Sequence, residues 1–346
     1  MATAHEHDSG SGGAPRRASI DDVARRAGVS VATVSRVLNS PALVSPDTTR
    51  RVRQAIDELS YQPNLFAKGL MTRRSNVLAI ALPTIYSEFY SEMLRGADTE
   101  AHTLGYQLLV SSDARLRDGH ASGHLAFGLV DGIALMVTEP NDALIEEAER
   151  QDRPLVAMDV DLRSRGIDSV VIDNSTGARD ATEHLLSTTP PNRCYFVGGP
   201  RDNYDTAERL AAFRAVITEA GHTLRADQMT FGDYEMEFGE RWWRGHPDPT
   251  ALKGAGILAG NDEIAYGIMS AAQEQGLHVP SALRIVGFDN SRLSVLARPR
   301  LTSVRIPAAE AGAAAIRMLV NRVNHPDTPA SLTLLPTKLV VRESSV

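Results

Sequence analysis

Residues 20–39 read IDDVARRAGVSVATVSRVLN, and the fold of everything around them turns on this stretch. Ser19 stands just before a run of helical periodicity and is suited to cap it, with Asp22 placed three residues on for a capping-box contact. DDVARRA carries the helix, and Gly28 ends it where a positive φ is needed. Ser30 then caps a second helix, VATVSRVLN. Two short helices around a glycine turn make a helix-turn-helix. Ala24 has to be small where the second helix crosses, and Val34 faces back into that crossing. Val23, Val29, Val37 and Leu38 supply the remaining apolar faces. A third helix follows in VSPDTTRRVRQAIDELSY, with Ser45 as cap, Pro46 at the first helical position and Asp47 in the first turn. Its Val52, Ile56 and Leu59 recur at helical spacing, so three helices over residues 18–62 are expected to share one small core.

After Tyr61 the pattern changes. Pro63 stops the third helix, and residues 63–75 form a linker. NLFAKGL inside it has helical composition but only seven residues, and isolated helices below about 12 residues are marginal in water. This segment is expected to order only against a partner.

The net charge of −7 conceals an uneven distribution. Residues 16–74 hold eleven basic and five acidic side chains, whereas residues 75–346 hold 25 basic and 36 acidic ones. A basic head on an acidic body points to a polyanion as the partner of the head alone. Residues 1–17 read as a disordered Gly/Ser-rich tail, and its His5 and His7 have no companions with which to bind metal. The single cysteine, Cys194, rules out an intrachain disulfide and a cysteine metal cluster, and fits a reducing cytoplasm. No apolar run approaches the roughly 18 residues that a membrane span requires, and the N-terminus lacks a signal-peptide pattern.

In residues 76–346 strand-like apolar runs (NVLAIALP, YQLLVSS, GIALMV, PLVAMDV, SVVIDN, CYFVGG, GILAGND and LRIVGFDN) alternate with helical stretches. The runs read as buried strands, and such alternation predicts an α/β body with parallel sheet covered by helices on both faces. Enzyme signatures are missing. There is no G-x-x-x-x-G-K-[ST] loop, and GGPRDN does not match a dinucleotide fingerprint. The pairs Asp21–Asp22 and Glu146–Glu147 suit solvated helix faces better than an acid/base dyad. No cofactor is called for.

From Ile20 to Leu70, and on through SNVLAIALP, the chain resembles the lactose-repressor/galactose-repressor (LacI/GalR) family of bacterial transcription regulators. The resemblance implies that the second helix enters the DNA major groove. Val31, Ala32 and Arg36 match base-contacting positions. Arg36 is able to donate two hydrogen bonds to guanine O6 and N7, while Val31 and Ala32 offer apolar contact to a thymine methyl. Ser30, Thr33, Ser35 and Asn39 suit phosphate or further base contacts. The linker matches a hinge helix in which Leu70 wedges between base pairs and Ala67 faces the minor-groove floor; burial of Leu70 against the body is the plainer alternative.

For the body the resemblance implies two lobes of the type I periplasmic-binding-protein kind, with an effector held between them. The N-lobe would span about 76–172 and 305–334, the C-lobe about 173–303 and 335–346, with chain crossings near 173, 304 and 335. Asp159, Asn261 and Asp289 follow strands, where open α/β sheets place ligands, and Arg209 opens a helix; all four match effector-contacting positions. Phe89, Tyr90 and Tyr234 match positions that offer apolar or stacking surface. The structural alternative is that Arg209 and Asp289 simply pair with each other and that Tyr234 caps the core. The chain departs from the family between the second and third strands, at DARLRDGHASGHLAFGLVDG, and lacks a leucine-rich tetramerising tail, so a homodimer on a palindromic operator is expected. The implied function is a transcriptional regulator, most simply a repressor, answering to a sugar or sugar derivative, with purines and nucleosides behind. A solute-binding protein of a transport system is the alternative, against which the basic head counts; an enzyme borrowing the fold is a third, against which the missing catalytic constellation counts.

Overall fold

The computed structural model describes residues 18–39, 41–61, 74–112, 130–138, 145–146, 149–150, 153–246 and 248–346. The chain divides into two compact units at Ser75/Asn76. The tail over 1–17, most of the linker with Ala67 and Leu70, and most of the segment that departs from the family lie outside the described residues.

In the first unit, α1 (Ile20–Ala27) starts at a complete capping box: Asp22 N donates to Ser19 Oγ, and Ser19 N donates to Asp22 Oδ2 at 2.9 Å. Gly28 closes the helix with φ 65°, a left-handed conformation that a β-carbon would strain. In α2 (Val31–Asn39) the first turn is held by Thr33 N donating to Ser30 Oγ at 3.2 Å. Helix α3 (Pro46–Glu58) is capped by Ser45. Val23, Ala24, Val34, Val37, Val52 and Ala55 bury one core. Leu38 departs from expectation: it is exposed, because about 100° of rotation per residue carries it past the face that Val34 and Val37 turn inward.

The second unit holds two six-stranded sheets among the described residues. The first runs in the order β11 (Leu332–Leu335), β5 (Asp168–Ile172), β4 (Leu155–Met158), β3 (Gly132–Met136), β1 (Val77–Leu82), β2 (Gln107–Ser112). The second runs β12 (Lys338–Val340), β10 (Thr302–Arg305), β9 (Leu283–Asp289), β8 (Ala255–Ala259), β6 (Cys194–Gly198), β7 (Met229–Phe231). All pairings are parallel except β10 with β12. YQLLVSS, expected as a buried strand, is β2 at a sheet edge, where Leu109 and Val110 are exposed.

The chain changes sheet three times. It leaves β5 at Asp173 for α5 (Asn174–Leu186), leaves β10 for α10 (Ala308–Asn324), and passes from β11 to β12. The later two crossings fall slightly beyond the expected points. Arg305 still pairs with Asp289 in the second sheet, and Leu335 still pairs with Ile172 in the first, so strand register holds each for one or two residues longer.

Helix α10 packs on α4 (Glu88–Thr103) at backbone distance. A β-carbon at Gly96 would collide with the Ala309 carbonyl, and one at Gly312 with the Met93 carbonyl. Met93, Ala97, Ala311 and Ala315 fill this seam.

Candidate functional site

Two surfaces answer to the expected residues, one in each unit. In the head, 100° per residue places Val31, Ala32, Ser35 and Arg36 within an arc of roughly 140° on α2, opposite Val34 and Val37. Ser30, Val31, Ala32 and Arg36 are exposed, and Thr33 and Ser35 half-buried. Ser30 and Thr33 are also joined Oγ to Oγ1 at 2.9 Å, so both hydroxyls already serve the cap. Asn39 is the last residue of the helix.

In the body, the C-terminal ends of the strands surround a cavity of about 460 Å³. Phe89, Tyr90, Arg209, Tyr234, Asn261 and Asp289 all line it. Arg209 sits in α6 (Tyr204–Glu219), almost fully buried. Its guanidinium lies 3.9 Å above the Phe288 ring. Nε donates to Asn174 Oδ1 at 2.8 Å, one terminal nitrogen to the Gly260 carbonyl at 2.6 Å, and the other to Asp205 Oδ2 at 3.3 Å. Burial alone would lower its pKa, but the charges of Asp205, Tyr234, Asp289 and Asp159 more than offset that and raise it. Arg209 and Asp289 share no hydrogen bond. The pair partner of Arg209 is Asp205, a lining residue that no strand-end pattern singled out.

Asp289 ends β9 with φ 108°, a strained conformation for an aspartate. Its carboxyl makes no hydrogen bond among the described residues. Burial, then the charge of Asp262, raise its pKa well above the usual carboxylate range, with Arg209 pulling the other way. Asp159, after β4 in the first sheet, repeats this arrangement at φ 70°. It is buried and not on the cavity lining, its Oδ2 lacks a partner, and burial raises its pKa strongly, Asp205 adding to the rise and Arg209 opposing it.

Tyr234 stands where its OH donates to Asn203 Oδ1 at 3.0 Å and meets Thr206 Oγ1 at 2.7 Å; burial raises its pKa. Gly199 makes room for the ring, since a β-carbon there would run into it, and one on Gly198 would meet the Phe196 ring and Thr206, which explains the glycine pair in GGPRDN without a phosphate. Asn261 caps α8 (Asp262–Glu274) by accepting from Ile264 N at 2.9 Å, and donates to the Tyr234 carbonyl at 2.9 Å. Its side chain therefore places Tyr234 first of all. Behind it, buried Asp262 accepts from Ser291 N, Ser291 Oγ and Ser303 Oγ, and burial pushes its pKa up to about 7 against those bonds. Among the described residues, bonds bridge the lobes beside the cavity: Tyr204 N donates to the Thr138 carbonyl at 2.8 Å, and Arg292 N donates to the Glu88 carboxylate at 3.0 Å. The tryptophans lie elsewhere. Trp243 is core and donates to Gln275, and half-buried Trp242 donates to Thr230. Among the described residues no group of three His, Cys, Asp or Glu side chains could hold a metal ion, and no helix is long and apolar enough to cross a membrane.

Residues 19–64 match the model for bacterial regulatory proteins of the lacI family, and residues 182–345 match a periplasmic-binding-protein-like domain. Catabolite control protein A of Priestia megaterium is 33% identical over 332 residues, spanning 94% of this chain and 98% of that protein. The ribose operon repressor of Escherichia coli (strain K12) is 30% identical over 334 residues, spanning 95% and 100%. Among solved structures, the lac repressor dimer bound to operator and the anti-inducer ONPF has a TM-score of 0.83 at 25% identity, over 96% of this chain and 100% of that one. The transcriptional regulator CelR–cellobiose complex has a TM-score of 0.72 at 29% identity, over 95% and 100%. With a helix-turn-helix head, a two-lobed body and kinship over nearly its whole length, the chain belongs to the lacI family of bacterial regulatory proteins: it is a DNA-binding transcription regulator, not an enzyme.

Proposed function

We propose that the protein is a repressor that binds a palindromic operator as a homodimer in the cytoplasm and is governed by a small molecule held in the inter-lobe cavity. The observation that carries this is the cavity itself: it opens at the strand ends of two lobes and gathers polar side chains from both, in the same chain as an exposed helix-turn-helix face. Arg36 reads a guanine, with Val31 and Ala32 in apolar contact beside it, and Ser30, Thr33, Ser35 and Asn39 hold the backbone. Ala67 and Leu70 are assigned to the minor groove by the family resemblance. Arg209, Asp289 and Tyr234 hold the effector, Phe89 and Tyr90 close over it, Asn261 places Tyr234, and Asp159 tunes Arg209 from behind. A sugar-like effector is supported by relatives named for ribose and a neighbour bound to cellobiose.

The test starts by selecting operators from a randomised palindrome pool and measuring affinity by fluorescence anisotropy. Arg36→Ala is expected to cost about 1–3 kcal/mol on the selected operator and to relax preference at one base pair. Unchanged affinity with unchanged base preference would refute the assignment of Arg36.

A further inference from the structure

The cavity is lopsided in charge. Asp205, Asp233, Glu235, Glu237, Glu263 and Asp289 all line it from the second lobe, against one cationic lining residue among the described ones, Arg209. Two of the six carboxylates have cationic partners: Asp205 pairs with Arg209, and Asp233 with Arg241 at 3.1 Å. The other four form no ion pair among the described residues. Glu263 is half-buried, and its pKa is raised by that burial and then by the charges of Glu235 and Glu237, which line the same wall. Off the lining, in the first lobe, Asp159 Oδ2 is more than nine-tenths buried without a hydrogen-bond partner and feels the charges of Asp205 and Arg209.

Among the described residues the first lobe contributes no charged lining residue. It offers Tyr86, Phe89 and Tyr90, with Phe89 and Tyr90 packed edge to face at 5.1 Å, alongside Thr84, Ser87 and Thr138. An aromatic wall facing a carboxylate wall is a cation receptor: ring faces attract an ammonium group, and the carboxylates neutralise it. A neutral polyol enclosed there would leave the half-buried Glu263 and Asp289 without counter-charge, which is costly, and would not answer the exposed Glu235 and Glu237 at the rim. A metal ion does not answer the need, since no three of these carboxylates converge as ligands.

We propose that the effector is a polyhydroxylated amine, bound as its ammonium form, with the ammonium group between Glu235, Glu237 and Glu263 and the Tyr86–Phe89–Tyr90 wall, and with its hydroxyls on Arg209 and Asp289. This rests on the cavity being the effector site, and goes past it to the charge of the ligand.

The experiment uses the full-length protein and matched probes that differ in one group: D-glucosamine against D-glucose, D-galactosamine against D-galactose, and D-glucamine against D-sorbitol, with N-acetyl-D-glucosamine as a neutral amide. Binding is measured by titration calorimetry at pH 7 in low salt. In at least one pair the amine is expected to bind at least tenfold more tightly than its neutral twin. N-acetylation should remove that advantage, 0.5 M NaCl should shrink it, and Glu263→Gln or Glu235→Gln should reduce it to less than threefold. Neutral twins that bind as well as the amines, in an Arg209-dependent manner, would overturn the charge assignment and leave the cavity standing as the effector site. Failure of all three amines to bind would overturn it as well. Binding that survives Arg209→Ala unchanged would instead count against the cavity.

Discussion

Arg209 is held before any ligand arrives. Three of its nitrogens already donate to Asn174, Gly260 and Asp205, and its face rests on Phe288. A guanidinium so placed loses little further freedom on binding, which is the condition for a tight contact. Arg209→Ala is therefore expected to abolish the effector's influence on operator affinity while leaving operator affinity itself within about threefold; an intact response would make the residue structural. Asp262 carries a different consequence. Its pKa, pushed up to about 7 from an ordinary 3.8 by burial, means that the folded chain holds a proton which the unfolded chain releases. The stability it contributes is complete below the ordinary aspartate range and is lost as the pH rises through about 7. Urea midpoints followed from pH 5 to 8 should fall as the pH rises, and the fall should be shallower in Asp262→Asn. Equal slopes in the two proteins would show that Asp262 is not the group responsible.

The α4–α10 seam joins segments more than 200 positions apart through two glycines, each seated on the other helix's backbone. Gly96→Val should destabilise the body by about 1–3 kcal/mol through overpacking, read as a lower melting temperature with the selected-operator base preference unchanged; a melting temperature equal to the parent's would mean that the seam yields. No local pattern marked this helix, because its stretch AAEAGAAAIRMLVNRVN alternates small residues with few strong apolar ones, and its partner is remote in sequence. The eight strands that were legible are apolar runs in α/β alternation. Strands β7, β10, β11 and β12 were not, being three or four residues long and half-buried or polar in part. The same division holds in the site. Strand-end residues such as Asp289 and Asn261 follow from a rule about sheets, whereas Asp205, Glu235, Glu237 and Glu263 sit on helices and loops whose facing is set only by tertiary packing. Leu38 was misplaced for the opposite reason: apolar character alone does not say which side of a nine-residue helix a residue occupies.

At the scale of the whole molecule the two units differ in what they can bury. The head has a core of a few small side chains, whereas the body has several apolar clusters, and small cores give marginal stability. Calorimetry is expected to resolve two transitions, the head melting first. An effector at 100 times its dissociation constant should stabilise the body by about 2.7 kcal/mol and leave the head's transition in place. Movement of both transitions together would show the units to be thermodynamically one. The three sheet crossings also set an order of events during synthesis. The head is made of contiguous residues and is complete once its third helix leaves the ribosome. Both lobes of the body wait for strands that come after residue 330, with β11 the last member of one sheet and β12 of the other. Every nascent chain therefore passes through an interval in which a finished DNA-reading unit precedes an unfinished sensor, and a ribosome stalled after the third helix has emerged but before residue 330 would display a reader of DNA with nothing yet built to govern it.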